Sequence, residues 1–221
     1  MLFRSTLPTA VDWERIVVTD AGWTLVGGNF ATTYSGYIIQ STDGANWTHN
    51  TSLANGPQLM GVVYSGSQYV GVGMVGRIVR STDGVNWQNV DTGGLTFPGT
   101  LFGAATGSAG TIVAGRVDQV YFSTNHQTGW ARVNLGQDSA VIPSYTNHYG
   151  AAQGGGTYVV VGGNDNTASG AGKSYIFASS LAQGLSSGAW TKVEINGPHF
   201  LAAVAYDAVS GRFVAAGAGD K

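Results

Sequence analysis

Cysteine is absent from all 221 residues, which excludes disulfides, thiolate metal sites and thiol catalysis. Charge is scarce too: Asp, Glu, Lys and Arg make up 10% of the chain, and the net charge is -2. With no basic patch to track a phosphate backbone, no nucleic-acid partner is expected. Glutamate occurs only at Glu14 and Glu194, and lysine only at Lys173, Lys192 and Lys221, so the residues that favour long surface helices are nearly missing. No apolar run approaches the roughly eighteen residues of a membrane span, and membrane insertion is not expected. The opening MLFRSTLPTAVDW has neither an apolar signal core nor a small-residue cleavage site. Its reading is a chain outside the ordinary secretory route, with the compartment open.

What remains is rich in strand and turn formers. Thirty-five glycines and 11% aromatics sit among runs of Val, Ile, Ser and Thr, a composition that predicts an all-β chain. The runs recur. DWERIVVTDAGWTLVGGNFATTYSGYIIQSTDGANW and QLMGVVYSGSQYVGVGMVGRIVRSTDGVNW share one order: an apolar alternating run, a small-residue turn, a second run, a loop, a third run ending in Ser-Thr, then a Trp. A third copy, LFGAATGSAGTIVAGRVDQVYFSTNHQTGW, loosens the turn, and a fourth, from Tyr149 to Trp190, carries insertions.

The fifth copy, FLAAVAYDAVSGRFVAAGAGDK, ends after two strands. Its missing half matches the beginning of the chain: Leu2, Phe3, Arg4, Ser5 and Thr6 stand where Ile78, Val79, Arg80, Ser81 and Thr82 stand, and Trp13 stands for Trp87. That assignment puts only Glu14 and Arg15 between Trp13 and the next inner run, too few for an outer strand. The mean spacing of roughly 44 residues is the size of a four-stranded propeller blade. The expected fold is therefore a five-bladed β-propeller of four-stranded antiparallel blades, one domain over residues 1–221, its last blade closed by the N- and C-terminal segments.

In STDGANW and STDGVNW the Asp carboxylate can accept from backbone amides two and three residues on, Gly supplies a positive φ, and Trp offers an apolar face for packing between blades. The pattern Ser41, Asp43, Gly44, Trp47 and again Ser81, Asp83, Gly84, Trp87 resembles the Asp-box (BNR) repeat of sialidase-like propellers. The resemblance implies that these residues, with the marker tryptophans Trp13, Trp130 and Trp190, are structural, and that ligands use the opposite face.

On that opposite face the repeats place the second-to-third-strand loops, at 29–36, 74–76, 115–118, 163–173 and 217–221, and the inter-blade loops, at 48–58, 89–100, 133–148 and 194–199. The two longest additions fall in the fourth blade. They bring Tyr145, Asn147, His148, Tyr149, Asn164, Asp165 and Asn166, aromatic faces beside short amides and carboxylates, a combination suited to sugars. Arg116, Asp118, Phe30 and Tyr34 join them as candidate ligand contacts, whereas Met60 and Met74 read as packing residues.

Enzymatic chemistry finds less support. A sialidase site needs clustered arginines and a Tyr-Glu pair, and most of the arginines here fall on strands. A glycosidase with carboxylates at the central pit is the alternative, with Asp118, Asp165 and Asp220 as its candidates. The four histidines, His49, His126, His148 and His199, have no ligand spacing, and no cofactor motif occurs; no metal or cofactor is expected. The expectation is a non-enzymatic binding or structural propeller with a carbohydrate or protein partner, resembling five-bladed lectins or phage virion components, the latter with other virion proteins as partners.

Overall fold

A computed structural model describes residues 11–29, 35–51, 53, 56–95, 99–116, 120–133, 135, 146–164, 172–180, 190–196 and 199–219. The alternating apolar runs form strands throughout, grouped in five sheets. The first holds β1 (Asp12–Thr19), β2 (Gly22–Asn29), β3 (Ser35–Ser41) and β4 (Thr48–Asn50). The second holds β5 (Leu59–Tyr64), β6 (Tyr69–Gly73), β7 (Ile78–Ser81) and β8 (Gln88–Asn89). The third holds β9 (Leu101–Gly107), β10 (Gly110–Gly115), β11 (Val120–Ser123) and β12 (Ala131–Arg132), and the fourth β13 (Thr146–Gly154), β14 (Thr157–Asn164), β15 (Lys173–Ser180) and β16 (Thr191–Asn196). In the fifth, the described residues supply β17 (His199–Asp207) and β18 (Arg212–Gly219). Every pairing is antiparallel between chain neighbours. The chain is an all-β propeller. The expected closure through residues 2–6 lies outside the described residues.

One departure from regular pairing recurs in all five sheets. Each inner strand carries one extra residue opposite the second strand: Glu14, Met60, Phe102, Tyr149 and Ala202, each at the register shift of its sheet. The residue just before each bulge pairs with a glycine, as Trp13↔Gly27, Leu59↔Gly73, Leu101↔Gly115, His148↔Gly162 and Leu201↔Gly217. A Cβ on those glycines would stand 2.2, 2.1, 2.5, 2.0 and 1.8 Å from a carbonyl oxygen of the bulged strand. The extra residue pushes main chain into space that only a glycine leaves.

This register corrects the reading of Trp13. It is an inner-strand residue of β1, equivalent to Leu59 and Leu101. The first sheet has its outer strand in β4.

Cohesion comes from the spaces between sheets. Val26 and Ile38 of the first sheet enclose Trp87 with Leu59 and Val62 of the second. Val70, Val72 and Ile78 of the second enclose Trp130 of the third, and Ile112, Val120 and Phe122 of the third enclose Trp190 of the fourth. Each Trp thus packs against the preceding sheet. An aromatic of this size buries on the order of 200 Å², about 5 kcal/mol at the usual transfer value, which outweighs any single turn hydrogen bond at about 1 kcal/mol. Between last and first sheets the described side chains are more open: Ile16 is 50% exposed where its equivalent Val62 is 6% exposed, and Val214 is 63% exposed where Val70 is fully buried.

The turns at 41–47 and 81–87 are superimposable in their bonding. The Asp43 carboxylate accepts from the Ala45 and Asn46 amides at 2.8 Å each, from the Asn46 side chain at 2.7 Å and from the Ser41 hydroxyl at 2.9 Å. Asp83 repeats all four with Val85, Asn86 and Ser81. These bonds, the backbone amides foremost, hold both carboxyls far below the usual carboxylate range. The third sheet's turn is not loosened: Asn125 accepts from Gln127 and Thr128 at 2.9 and 2.8 Å, and His126, at φ 64, takes the place of Gly44 and Gly84 at φ 73 and 75.

Two outcomes are expected. Gly162→Ala drives a Cβ into the Asn147 carbonyl and lowers stability by about 1–3 kcal/mol, read as a fall in the denaturant midpoint. Asp83→Asn converts the second turn to the third turn's chemistry. Because the Asp83 carboxyl is depressed in the folded state, its stabilisation is present above the unfolded value and lost as pH falls through the folded one. The melting-temperature gap between wild type and variant is therefore open at pH 7 and narrows steadily below about pH 4.

Candidate functional site

The five bulges lie near the start of the inner strands, at the end opposite the turns at 41–47 and 81–87, so their extra residues ring one mouth of the central channel. Glu14, Met60 and Phe102 line one cleft there with the residues two before them, Asp12, Gln58 and Thr100, and with Met74. Phe102 continues the ring to Tyr149, with ring centres 5.0 Å apart, and Tyr149 to Phe200 at 5.3 Å. The result is a crown: acidic at the first sheet, thioether at the second, aromatic from the third to the fifth.

The acidic side is tightly built. Gln58 is buried against Gly28, where a Cβ would meet its side chain at 2.4 Å, and it donates to Glu14 Oε1 at 3.0 Å. Burial, then the neighbouring Asp12, raises the Glu14 pKa, partly offset by Arg15 and by the Gln58 bond. The crossing into the second sheet is pinned by Arg77, which donates to the Pro57 carbonyl at 2.8 Å; burial lowers its pKa. On the aromatic side Asn147 donates to the Tyr149 hydroxyl at 3.0 Å, and the Arg116 backbone bridges to Asn147. The acidic cleft has a volume of about 230 Å³, and its carboxylates, Met60, Met74 and Phe102 suit a cationic group on an apolar stem.

Of the residues expected to bind ligand, the structure unites Asn147, Tyr149 and Arg116. They sit on strand ends and a bridge, because β13 begins at Thr146, earlier than the inter-blade loop was expected to end. His148, expected in the same group, is turned into the interior instead. It is fully buried, edge-on to Phe177 at 5.7 Å, in the inner-strand core position that Leu59 and Leu101 hold elsewhere. Phe30, Tyr34, Asp118, Tyr145, Asp165 and Asn166 lie outside the described residues, as does the side chain of Asn164, which ends β14.

Sequence reasoning missed Asp12, Glu14, Gln58, Phe102 and Phe200, and it assigned Met60 and Met74 to packing although both line the cleft half-exposed. The signal was present in WER, LMG, LFG, HYG and LAA, five triplets at one repeat position. Their middle residues are the bulges, and they change chemical class from sheet to sheet, Glu, Met, Phe, Tyr and Ala.

The face of the Asp43 and Asp83 turns is not featureless either. Between the first two sheets it opens a cleft of about 700 Å³ lined by Trp23, Gln40, His49 and Tyr69. Many of its polar groups are already engaged: Asn50 donates to the Val85 carbonyl, His49 stacks on Tyr37 at 5.0 Å, and Asp83 is consumed by its own turn.

A family model described as the DUF6242 beta propeller domain matches residues 4–221. Among solved structures, YCF48 bound to D1 peptide is 15% identical over 94% of this chain and 60% of that one, with a TM-score of 0.61. YCF48 from Cyanidioschyzon merolae is 18% identical over 90% and 61%, with a TM-score of 0.59. The Cps50 (Swd1) β-propeller domain of Myceliophteria thermophila is 12% identical over 95% and 62%, also at 0.59. The chain spans about three-fifths of the length of these structures, and the likeness is one of fold. No curated protein matches the sequence.

The raised Glu14 carboxyl has a stability consequence. Its folded pKa lies above the unfolded one, so its contribution is favourable below the unfolded value and is lost as pH rises through the folded value. Glu14→Gln, which keeps an acceptor for Gln58, is expected to raise the melting temperature by roughly 2 °C near pH 8 and to lose that advantage near pH 4.

Proposed function

The chain belongs to the DUF6242 β-propeller family, and we propose that it is a non-enzymatic binding module, residues 1–221 acting as one unit, whose crown holds an extended segment of a protein partner. The observation that carries this reading is the fivefold bulge: one structural device presents a different side chain from each sheet at one mouth, acid, thioether, two aromatics and a small residue. Met and aromatic residues are enriched at protein interfaces, and bulges re-aim side chains at functional rims. A basic side chain of the partner fits the cleft between Glu14, Asp12 and Phe102, and apolar neighbours lie along Tyr149 and Phe200. The similar fold of YCF48, solved with D1 peptide, supports a peptide in preference to a sugar.

In this reading the turns of Asp43 and Asp83 are Asp-box turns that serve the scaffold, because each carboxylate is fully occupied by its own loop. A carbohydrate or virion partner is the broader form of the same proposal. A second reading rests on one observation, the raised Glu14 carboxyl beside Asp12 at the channel mouth, which matches an acid and base pair for glycoside hydrolysis.

A displayed library of random peptides selected on the immobilised protein tests the proposal. Enriched sequences are expected to carry Lys or Arg next to apolar residues, and their Kd, measured by calorimetry, is expected to rise at least about tenfold, or 1.4 kcal/mol, in both Glu14→Gln and Tyr149→Ala. Absence of enrichment, or binding indifferent to both substitutions, overturns it. Glycan-array binding lost in Tyr149→Ala would move the assignment to a lectin. Turnover of aryl glycosides abolished by Glu14→Gln would move it to an enzyme.

A further inference from the structure

Directly after each bulge comes a residue that faces the channel: Arg15, Gly61, Gly103, Gly150 and Ala203, from the five inner strands in turn, all lining one cavity of about 440 Å³. Four of the five are small for a reason. A Cβ at Gly61 would stand 3.1 Å from the Phe102 carbonyl oxygen, one at Gly103 2.9 Å from that of Tyr149, and one at Gly150 3.2 Å from the Ala203 backbone. Close approach of neighbouring inner strands asks for Gly or Ala at this position. Arg15 breaks the rule. Where the repeat calls for the smallest side chain, the first sheet places one of the longest.

The rest of the lining is Val62, Ala104, Ala151, Val204, Ala205, Val214 and Ala216, so Arg15 is the only charged group in it. Arg15 forms no ion pair or hydrogen bond with any described residue; the nearby Glu14 feels its charge but turns its carboxylate to Gln58 in the crown. Arg15 is itself exposed where it meets the cavity, so an anion can reach its guanidinium directly, and its planar fork fits a carboxylate with two parallel hydrogen bonds. The cavity volume falls in the range of small-ligand sites.

We propose that the central channel is a carboxylate-binding site in which Arg15 is the recognition group and the Gly and Ala ring supplies the room. The carboxylate can come from a free small organic acid or from the end of a polypeptide. The site is distinct from the crown, which lies one residue outward along β1, where the Arg15 charge is felt by Glu14.

NMR of the full chain, following the amides of Gly61, Gly103 and Gly150, tests the assignment with two ligands: succinate, and a short neutral peptide with a free C-terminal carboxylate set against its amidated form. Saturable shifts with either carboxylate, absent with the amide, are expected, and the responding ligand identifies the source. Arg15→Gln is expected to weaken binding at least tenfold, and Arg15→Lys by less, because it keeps the charge and loses the fork. Arg15→Ala, which copies Ala203, serves as the folding control and is expected to keep the wild-type melting temperature within a few degrees. Tyr149→Ala is expected to leave carboxylate binding unchanged, so a failure at the crown and a failure here are distinguishable. Shifts that stay linear through the millimolar range for both ligands, or that are equal in wild type and Arg15→Gln, overturn the proposal.

Discussion

A single steric bargain organises this molecule: an extra residue in each inner strand, and a glycine opposite to receive it. The bulged main chain comes within about 2 Å of where a Cβ would be, so neither half can exist without the other. Three consequences follow from the same few atoms. The residue before the bulge turns into the sheet interior, which is why His148 sits in a hydrophobic position alongside Leu59 and Leu101. The bulged residue turns to the channel mouth. The residue after it faces the channel, where strand proximity selects glycine or alanine in every sheet but the first.

The architecture was readable because propeller folding writes itself at two scales. Alternating runs mark strands, and the STDGxNW turns, with their Asp-centred bonding, mark units. Reading failed where two residue types can occupy one marker. Trp13 resembled an after-turn tryptophan because it follows a Ser-Thr pair at a plausible distance, yet its neighbours Glu14 and Arg15 align with Met60-Gly61 and Phe102-Gly103. The candidate site was legible in part. Asn147 and Tyr149 were found through their chemistry, but the expectation that binding residues sit in long loops drew attention away from strand beginnings, where Glu14, Met60 and Phe102 are. A bulge has no composition of its own; it shows only as one repeat position whose residue changes class from Glu to Met, Phe, Tyr and Ala.

The two faces differ in how their polar groups are spent. On the turn side, Asp43, Asp83 and Asn125 direct their side chains inward on their own loops, leaving little to offer another molecule. At the crown, Glu14 accepts one bond and Tyr149 one more, while Met60, Met74 and Phe102 have no polar obligation at all. Polar groups spent within their own loops on one face, against carboxyl, thioether and aromatic groups on the other, are the physical content of the proposed distinction between scaffold and site.

The tryptophans give the ring a direction. Trp87, Trp130 and Trp190 each lie against the sheet that comes earlier in the chain, never the one that comes later. During synthesis the chain emerges at about 5–20 residues per second, so each newly made sheet finds the surface that covers its tryptophan already in place. None of these three has to wait, with its indole exposed, for a sheet not yet translated. Trp47, of the first described sheet, has no such neighbour among the described residues, and it stays partly open to solvent where the other three are buried.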